Sequence, residues 1–242
     1  MEFTYKAFRH LTSKLQACGY QFCSYHDWNK TRKCVIYRHD VDNDLQKAAE
    51  FARVENELGV TSTYFVLLTS DFYNVASSQN RAFLRQIIEM GHEIGLHFDE
   101  TVYKSAGTAQ IVANILRERD VLSAILGVPV TTVSMHRPSK ATLEAELQIP
   151  GMVNSYGKTF FHDFKYISDS RHRWREPVWD IVCNQMYDRL HILTHPFWYH
   201  DYEETISETV GNFVNSGNRA RYSAMSENIA DLSSIMQESE VH

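Results

Sequence analysis

Cys34-Val35-Ile36-Tyr37-Arg38-His39-Asp40-Val41-Asp42-Asn43-Asp44 is the stretch on which the fold turns. Its first four residues form a short, apolar, β-branched run of strand type, and the Asx pair at its end is of the kind that caps a helix. The helix expected next carries Leu45, Ala48, Ala49, Ala52 and Leu58 and is closed by Gly59. The same alternation recurs downstream. Ser62 to Leu68 reads as a strand, Asn80 to Met90 as a helix with Gly91 after it, and Glu93 to His97 as a strand. Ala109 to Leu126 reads as a helix ended by Gly127 and Pro129, and Thr132 to Met135 as a strand. Upstream, Phe8, Leu11 and Leu15 mark an opening helix over residues 5–17, which Gly19 stops. Repeated β–α units predict a parallel sheet, closed as a barrel or open.

Beyond Pro138 the order is less regular. Met152-Val153, Phe164 to Ile167, Ile181-Val182 and Leu190 to Thr194 are each strand candidates, and Glu203 to Met236 is polar enough for a covering helix or two. With no internal repeat, low-complexity tract or Gly/Ser/Pro-rich linker, a single domain over residues 1–242 is expected. The composition, 43% hydrophobic and 22% charged, suits such a domain. Lys plus Arg number 24 against 30 Asp plus Glu, a formal charge of −6, and no basic stripe is present to neutralise a phosphate backbone. Nucleic acid is therefore not an expected partner. The N-terminus lacks the pattern of a secretory signal and no 18-residue uncharged stretch occurs, so a cytoplasmic protein without a transmembrane segment is expected. Cys18, Cys23, Cys34 and Cys183 form no CxxC pair and read as reduced packing thiols.

In parallel α/β folds the functional groups gather at the C-terminal ends of the strands. Reading each expected strand to its end yields Arg38-His39-Asp40-Val41-Asp42, Leu96-His97-Phe98-Asp99, His136-Arg137-Pro138 and Thr194-His195-Pro196. Asp40 and Asp42 are two apart, so on an extended chain both carboxylates leave one face, with Arg38 behind them and His39 and Val41 opposite. Two close carboxylates repel unless a cation lies beside them, and a metal would resolve that repulsion. The competing reading is an Asx-rich turn in which Asp42 only caps the next helix. In Gly91-His92-Glu93-Ile94-Gly95-Leu96-His97 the two histidines differ in parity, so one of them can face the site; His97 is nearer the strand end.

Asp40-Val41-Asp42, the Gly91-to-His97 string, His136-Arg137-Pro138 and Leu193-Thr194-His195 stand in the order, and at roughly the distances, of the motifs of NodB-type polysaccharide deacetylases, the carbohydrate esterase family 4 group. The resemblance spans about residues 34–196. It implies a distorted (β/α) barrel of about seven parallel strands, with the C-terminal helical segment added to it. It also implies Asp40 as general base, Asp42 and His97 as metal ligands, Arg137 as the arginine that holds the base, and His195 as general acid. The sequence departs from the family where a second metal-binding histidine belongs: Thr101 stands there, after Asp99 and Glu100. His136 is the preferred third ligand because it ends a neighbouring strand, with Asp99 or Glu100 as fallback.

One carboxylate and two imidazoles around a divalent metal, zinc first, leave open positions suited to amide hydrolysis. The expected substrate is an N-acetylated or N-formylated amino sugar or glycan, as a cytoplasmic precursor of a cell-surface polysaccharide. Asp169, Trp174 and Trp198, in polar and aromatic segments beside the His195 motif, are the expected substrate contacts. The alternatives are hydrolysis of a small non-sugar amide on the same scaffold and a carbohydrate-binding relative whose site has decayed.

Overall fold

The strand begun by Cys34 does not stop at Tyr37; it runs through the acidic motif to Val41, and all eight of its residues are buried. In the computed structural model, which describes residues 1–103 and 107–241, the chain divides into two compact units, Met1–Asp201 and Tyr202–His242. The first unit runs α1 (Tyr5–Ala17), β1 (Gln21–Phe22), β2 (Cys34–Val41), α2 (Leu45–Glu57), β3 (Thr63–Leu67), α3 (Ser78–Glu89), β4 (Glu93–Asp99), α4 (Thr108–Leu126), β5 (Thr132–His136), α5 (Lys140–Glu144), β6 (Val153–Asn154), β7 (Lys165–Ser168), α6 (Val178–Cys183) and β8 (Arg189–Thr194). The second unit holds α7 (Ile206–Ser226) and α8 (Leu232–Ile235), and a capping box of Thr205 and Glu208 starts α7. No helix among the described residues is long and apolar enough to cross a membrane.

Short-range chemistry sets the element ends. Asp44 accepts hydrogen bonds from the amides of Gln46 and Lys47, and Ser77 from that of Asn80, so the N-termini of α2 and α3 have a side-chain oxygen for their orphan donors. Gly127, at φ 72°, ends α4 in the left-handed conformation that glycine adopts without a Cβ clash. One expected strand is corrected: Ile181 and Val182 belong to α6, where with Val178 they form a buried face at helical spacing after Pro177. A two-residue apolar pair carries no period of its own, and the neighbour three to four residues away decides it.

The sheet is parallel throughout, in the order β6-β5-β4-β3-β2-β8-β7, with β1 added on β2. It curls as a half-barrel with β6 and β7 at its two ends, consistent with the distorted barrel expected. Alternation along the strands makes two cores. Tyr37, Tyr64, Val66, Leu96, Phe98, Val133 and Ile192 pack against the helices in the large cluster. Ile36 and Phe65 join Tyr25, Phe160 and Phe164 in a smaller one on the other face. Above that inner cluster, toward the C-terminal strand ends, the concave face becomes polar.

Candidate active site

Arg38 and Asp40 occupy the inner face of the central strand β2. Arg38 is fully buried, and its Nε and Nη2 donate to Asp40 Oδ1 and Oδ2 at 2.9 and 2.8 Å. Its remaining donors reach Ser155 Oγ at 3.3 Å and Ser134 Oγ, and its guanidinium lies 5.2 Å from the Phe65 ring centroid and 4.9 Å from that of Tyr156. Gly95 makes room for this arrangement: a Cβ there would stand 2.5 Å from a Phe65 ring carbon. Burial pushes the Asp40 carboxyl up, but the adjoining Arg38 guanidinium together with the His97 and His195 imidazoles holds the pKa below the usual range. The guanidinium paired with Asp40 is thus that of Arg38, where the resemblance implied Arg137. Arg137 is exposed, with φ 48°, and makes no ion pair with Asp40. Sequence parity already put Arg38 on the Asp40 face.

Past the end of β2, Asp42 meets two imidazoles. Asp42 Oδ1 lies 3.3 Å from His97 Nε2 and 3.3 Å from His136 Nδ1, and the two nitrogens are 3.1 Å apart. The strand register explains the meeting, since β4 and β5 pair His97 with Ser134 and His136 follows two residues later on the same face. Ligand atoms bound at about 2.0–2.1 Å to a tetrahedral ion are about 3.3 Å apart, so the triangle has the size of one face of such a site. Asp42 Oδ1 is buried with no hydrogen-bond partner, as fits an atom meant for a cation. The three residues could therefore hold a metal ion. Burial raises the Asp42 pKa, but the His136 and His97 imidazoles 3.3 Å away bring it well below the usual range. The fallback ligands are engaged elsewhere: Asp99 Oδ1 accepts from the Thr101 amide and hydroxyl at 2.9 and 2.7 Å, and Glu100 accepts from the Ser139 amide and the Thr142 hydroxyl.

His195 follows β8, and Asp169 follows its neighbour β7, whose Ser168 pairs with Leu193. Asp169 was expected at the substrate; it is instead fully buried against His195, accepting from Nδ1 at 2.6 Å and from the backbone amide at 3.1 Å, with the Tyr199 hydroxyl at 3.2 Å. Burial opposes the His195 charge, but the Asp169 carboxylate beside it prevails and the pKa is pushed up to about 9. Its other nitrogen, Nε2, lies 4.0 Å from Asp42 Oδ2. Trp174 and Trp198 are half-buried against the large core cluster, and Trp198 packs 4.8 Å from the Phe197 ring and 5.1 Å from His172.

Behind the site, His39 and His92 face the helices, as parity indicates. His39 Nε2 lies 2.8 Å from the buried Glu55, which also accepts from the Ser62 and Tyr64 hydroxyls at 2.6 and 2.7 Å. On the open side, Asp42 and His136 line a cavity of about 250 Å³ with Thr69, Phe72, Asp99 and Arg137. Its β3–α3 loop went unnoticed in the sequence because Thr69-Ser70-Asp71-Phe72 carries no motif. The strand-end rule applied to β3 would have found it.

No family profile matches the sequence, and no curated protein does. Solved structures to which the chain is similar include the deacetylase PplD of Streptococcus pyogenes in complex with acetate, at 15% identity and a TM-score of 0.46, covering 58% of this chain and 66% of that one. They also include the peptidoglycan deacetylase PdaC of Bacillus subtilis, at 15% identity and a TM-score of 0.47, covering 85% of this chain and 98% of that one. A third is a CE4 family pseudoenzyme from Bacillus anthracis, at 13% identity and a TM-score of 0.45, covering 78% of this chain and 62% of that one. The chain thus spans just under two thirds of the length of the first and third. The structures it resembles at this low identity are thus two deacetylases and a CE4 family pseudoenzyme.

Proposed function

We propose that the chain is a metal-dependent hydrolase that removes an N-acyl group, acetyl or formyl, from an amino sugar. The observation that carries this reading is the Asp42–His97–His136 triangle with a base and an acid beside it. Asp40 Oδ2 lies 3.5 Å from the His97 ligand nitrogen, and His195 Nε2 lies 4.0 Å from Asp42. Two imidazole nitrogens and one carboxylate oxygen are a donor set for zinc, and a zinc ion there supplies Lewis acidity toward the acyl oxygen.

This chain's own residues supply the proton chemistry. Arg38 keeps Asp40 ionised and fixes its plane, while each carboxylate oxygen retains a lone pair with which to take a proton from the attacking water. His195 holds a proton at Nε2 and gives it to the departing amine. Asp169 fixes the Nδ1–H end of that ring, so Nε2 is the nitrogen turned to the reaction. The decayed-site alternative drew its force from Thr101; His136 at the third corner of the triangle favours the active reading.

Replacing Asp40 with Asn tests the assignment. Amine release from N-acylated amino sugars should fall by about 10²–10⁴-fold while zinc content stays near that of the wild type. Retained turnover in that variant sinks it. Running simple amides beside the sugars separates the non-sugar alternative.

A further inference from the structure

Asp169 turns to His195, and the loop that follows it, Ser170-Arg171-His172-Arg173-Trp174-Arg175, has no part in the proton chemistry above. Its residues alternate in exposure: His172 and Trp174 turn inward, while Arg171, Arg173 and Arg175 stand exposed. His172 stacks on the buried Phe3 at 4.0 Å between ring centroids and Trp174 packs on the large core cluster, so the inward residues pin the loop and the arginines are displayed by it. The Arg173 amide donates to the Asp169 carbonyl oxygen at 3.1 Å and the Arg175 amide to that of Ser168 at 3.2 Å, which closes the loop on the C-terminal end of β7. This reversal takes Arg171 and His172 through φ 63° and 54°, a conformation that residues with a Cβ rarely adopt. Between Ser168 and Arg175 the one acid is Asp169, which is buried on His195, and the next, Glu176, is held by Lys165 at 2.8 Å. Among the described residues no hydrogen bond or ion pair takes up the three guanidiniums. Three cations within five residues repel one another unless an anion lies beside them.

We infer that this loop is a phosphate site, and that the substrate is an amino sugar bearing a phosphate ester or diphosphate on its anomeric carbon, which Arg171, Arg173 and Arg175 hold. The inference rests on the amino-sugar reading above. Guanidinium suits the task, because it stays charged and its N–H forks match phosphate oxygens. The position suits it too. Arg171 is two residues from Asp169, at most roughly 7 Å along the backbone, and Asp169 holds the His195 ring at 2.6 Å. In an amino sugar acylated beside its anomeric carbon, a phosphate on that carbon lies only a few bonds from the nitrogen that His195 protonates. The interior of a glycan chain carries no such charge, whereas nucleotide-linked and lipid-linked amino sugars both do. Exposed cations attract through water and are screened by ions, so the preference they confer falls with salt.

The probes are UDP-N-acetyl-α-D-glucosamine, N-acetyl-α-D-glucosamine 1-phosphate and methyl N-acetyl-α-D-glucosaminide, each with the full-length, zinc-loaded protein at low salt, followed by saturation-transfer NMR and by amine release. Both phosphates should show a KM about 10-fold below that of the neutral glycoside, and about 0.5 M salt should cut this advantage to about 3-fold or less. Arg171→Gln, Arg173→Gln and Arg175→Gln together should cut it to the same extent, while the three corresponding lysine substitutions, which keep the charge, should retain about half of it. Equal KM values for the two phosphates mark the phosphate alone as the recognised group, as on a lipid carrier, and a lower KM for the UDP sugar marks the nucleotide as well; both results support the site. KM values within about 3-fold for all three probes, an advantage that survives the glutamine substitutions or the high salt, or no binding of either phosphate overturns it. Phosphate-dependent binding that the glutamine variant loses, without amine release from any probe, keeps the site and defeats the hydrolase reading instead.

Discussion

Replacing Arg38 with Met leaves a buried carboxylate without its cation. Met keeps most of the contact with Phe65 and Tyr156 but removes both charge-assisted bonds to Asp40 and those to Ser134 and Ser155. Asp40 is 5% exposed, so water cannot replace the guanidinium. Breaking a buried pair from one side costs about 3–5 kcal/mol, chiefly the penalty of the stranded charge. For a chain of this size about 1 kcal/mol moves Tm by roughly 2–4 °C, so a fall of about 10 °C is expected. Removing both charges should cost less than removing one: Arg38→Met with Asp40→Asn should recover at least about 1–2 kcal/mol relative to Arg38→Met alone. Urea unfolding at pH 7 of the wild type, both single variants and the double variant closes the cycle. Additive losses, or a cost under about 1 kcal/mol for Arg38→Met, would refute the account of Arg38 as the counter-ion that keeps Asp40 charged.

Metal dependence is read from stability as well as turnover: zinc should raise the Tm of the wild type, and His136→Ala should lose that rise in differential scanning calorimetry, because only a ligand bound to the folded state stabilises it. An undiminished rise in that variant excludes His136 as a ligand. His191 is fully buried, its Nε2 2.6 Å from the Tyr25 hydroxyl and its Nδ1 3.2 Å from the Phe160 carbonyl oxygen, and burial with the Arg38 charge nearby lowers its pKa from 6.5 to about 3. The unfolded chain therefore binds the extra proton between those values, so stability is fully present above pH 6.5 and is lost as pH falls toward 3. By pH 5 the loss is about 2 kcal/mol, and His191→Gln should remove it; an unaltered pH slope in urea melts contradicts this. Glu118 behaves in the opposite sense. Burial raises its pKa from 4.5 to about 7 despite the Tyr103 hydroxyl at 2.6 Å, so its contribution is full below pH 4.5 and is lost as pH rises through 7. Glu118→Gln should be more stable than the wild type by up to roughly 3 kcal/mol at pH 8 and by little at pH 4.5, and equal melting curves at pH 8 would contradict it.

Much of the candidate site is legible along single strands, because alternation of two is a property of the extended backbone. Asp40, Asp42 and Arg38 share a face for that reason, and His97 rather than His92 turns toward the site for the same one. The pairing of a guanidinium with Asp40 was less visible. Arg137 holds the place the resemblance indicates, while Arg38 stands two residues from Asp40 on its own strand. Choosing between them requires knowing that Ser134 and Ser155, from β5 and just past β6, lie across the concave face to take Arg38's remaining donors. Asp169 shows the same limit: its sequence neighbours are polar and aromatic, and only the pairing of β7 with β8 sets its carboxylate against His195.

By itself the sequence determined the parallel α/β class, the strand ends at which Asp40, Asp42, His97, His136 and His195 stand, and the helix cap at Asp44. All of these depend on residues within a few positions of one another, where steric periodicity and local hydrogen bonds decide. Tertiary structure alone decided three things. It brought His136 to within 3.1 Å of His97, it gave Asp40 to Arg38 and Asp169 to His195, and it opened a cavity between Phe72 and Arg137. Each depends on register between strands distant in the chain. Register is set by the packing of whole faces, so no single stretch of sequence states it.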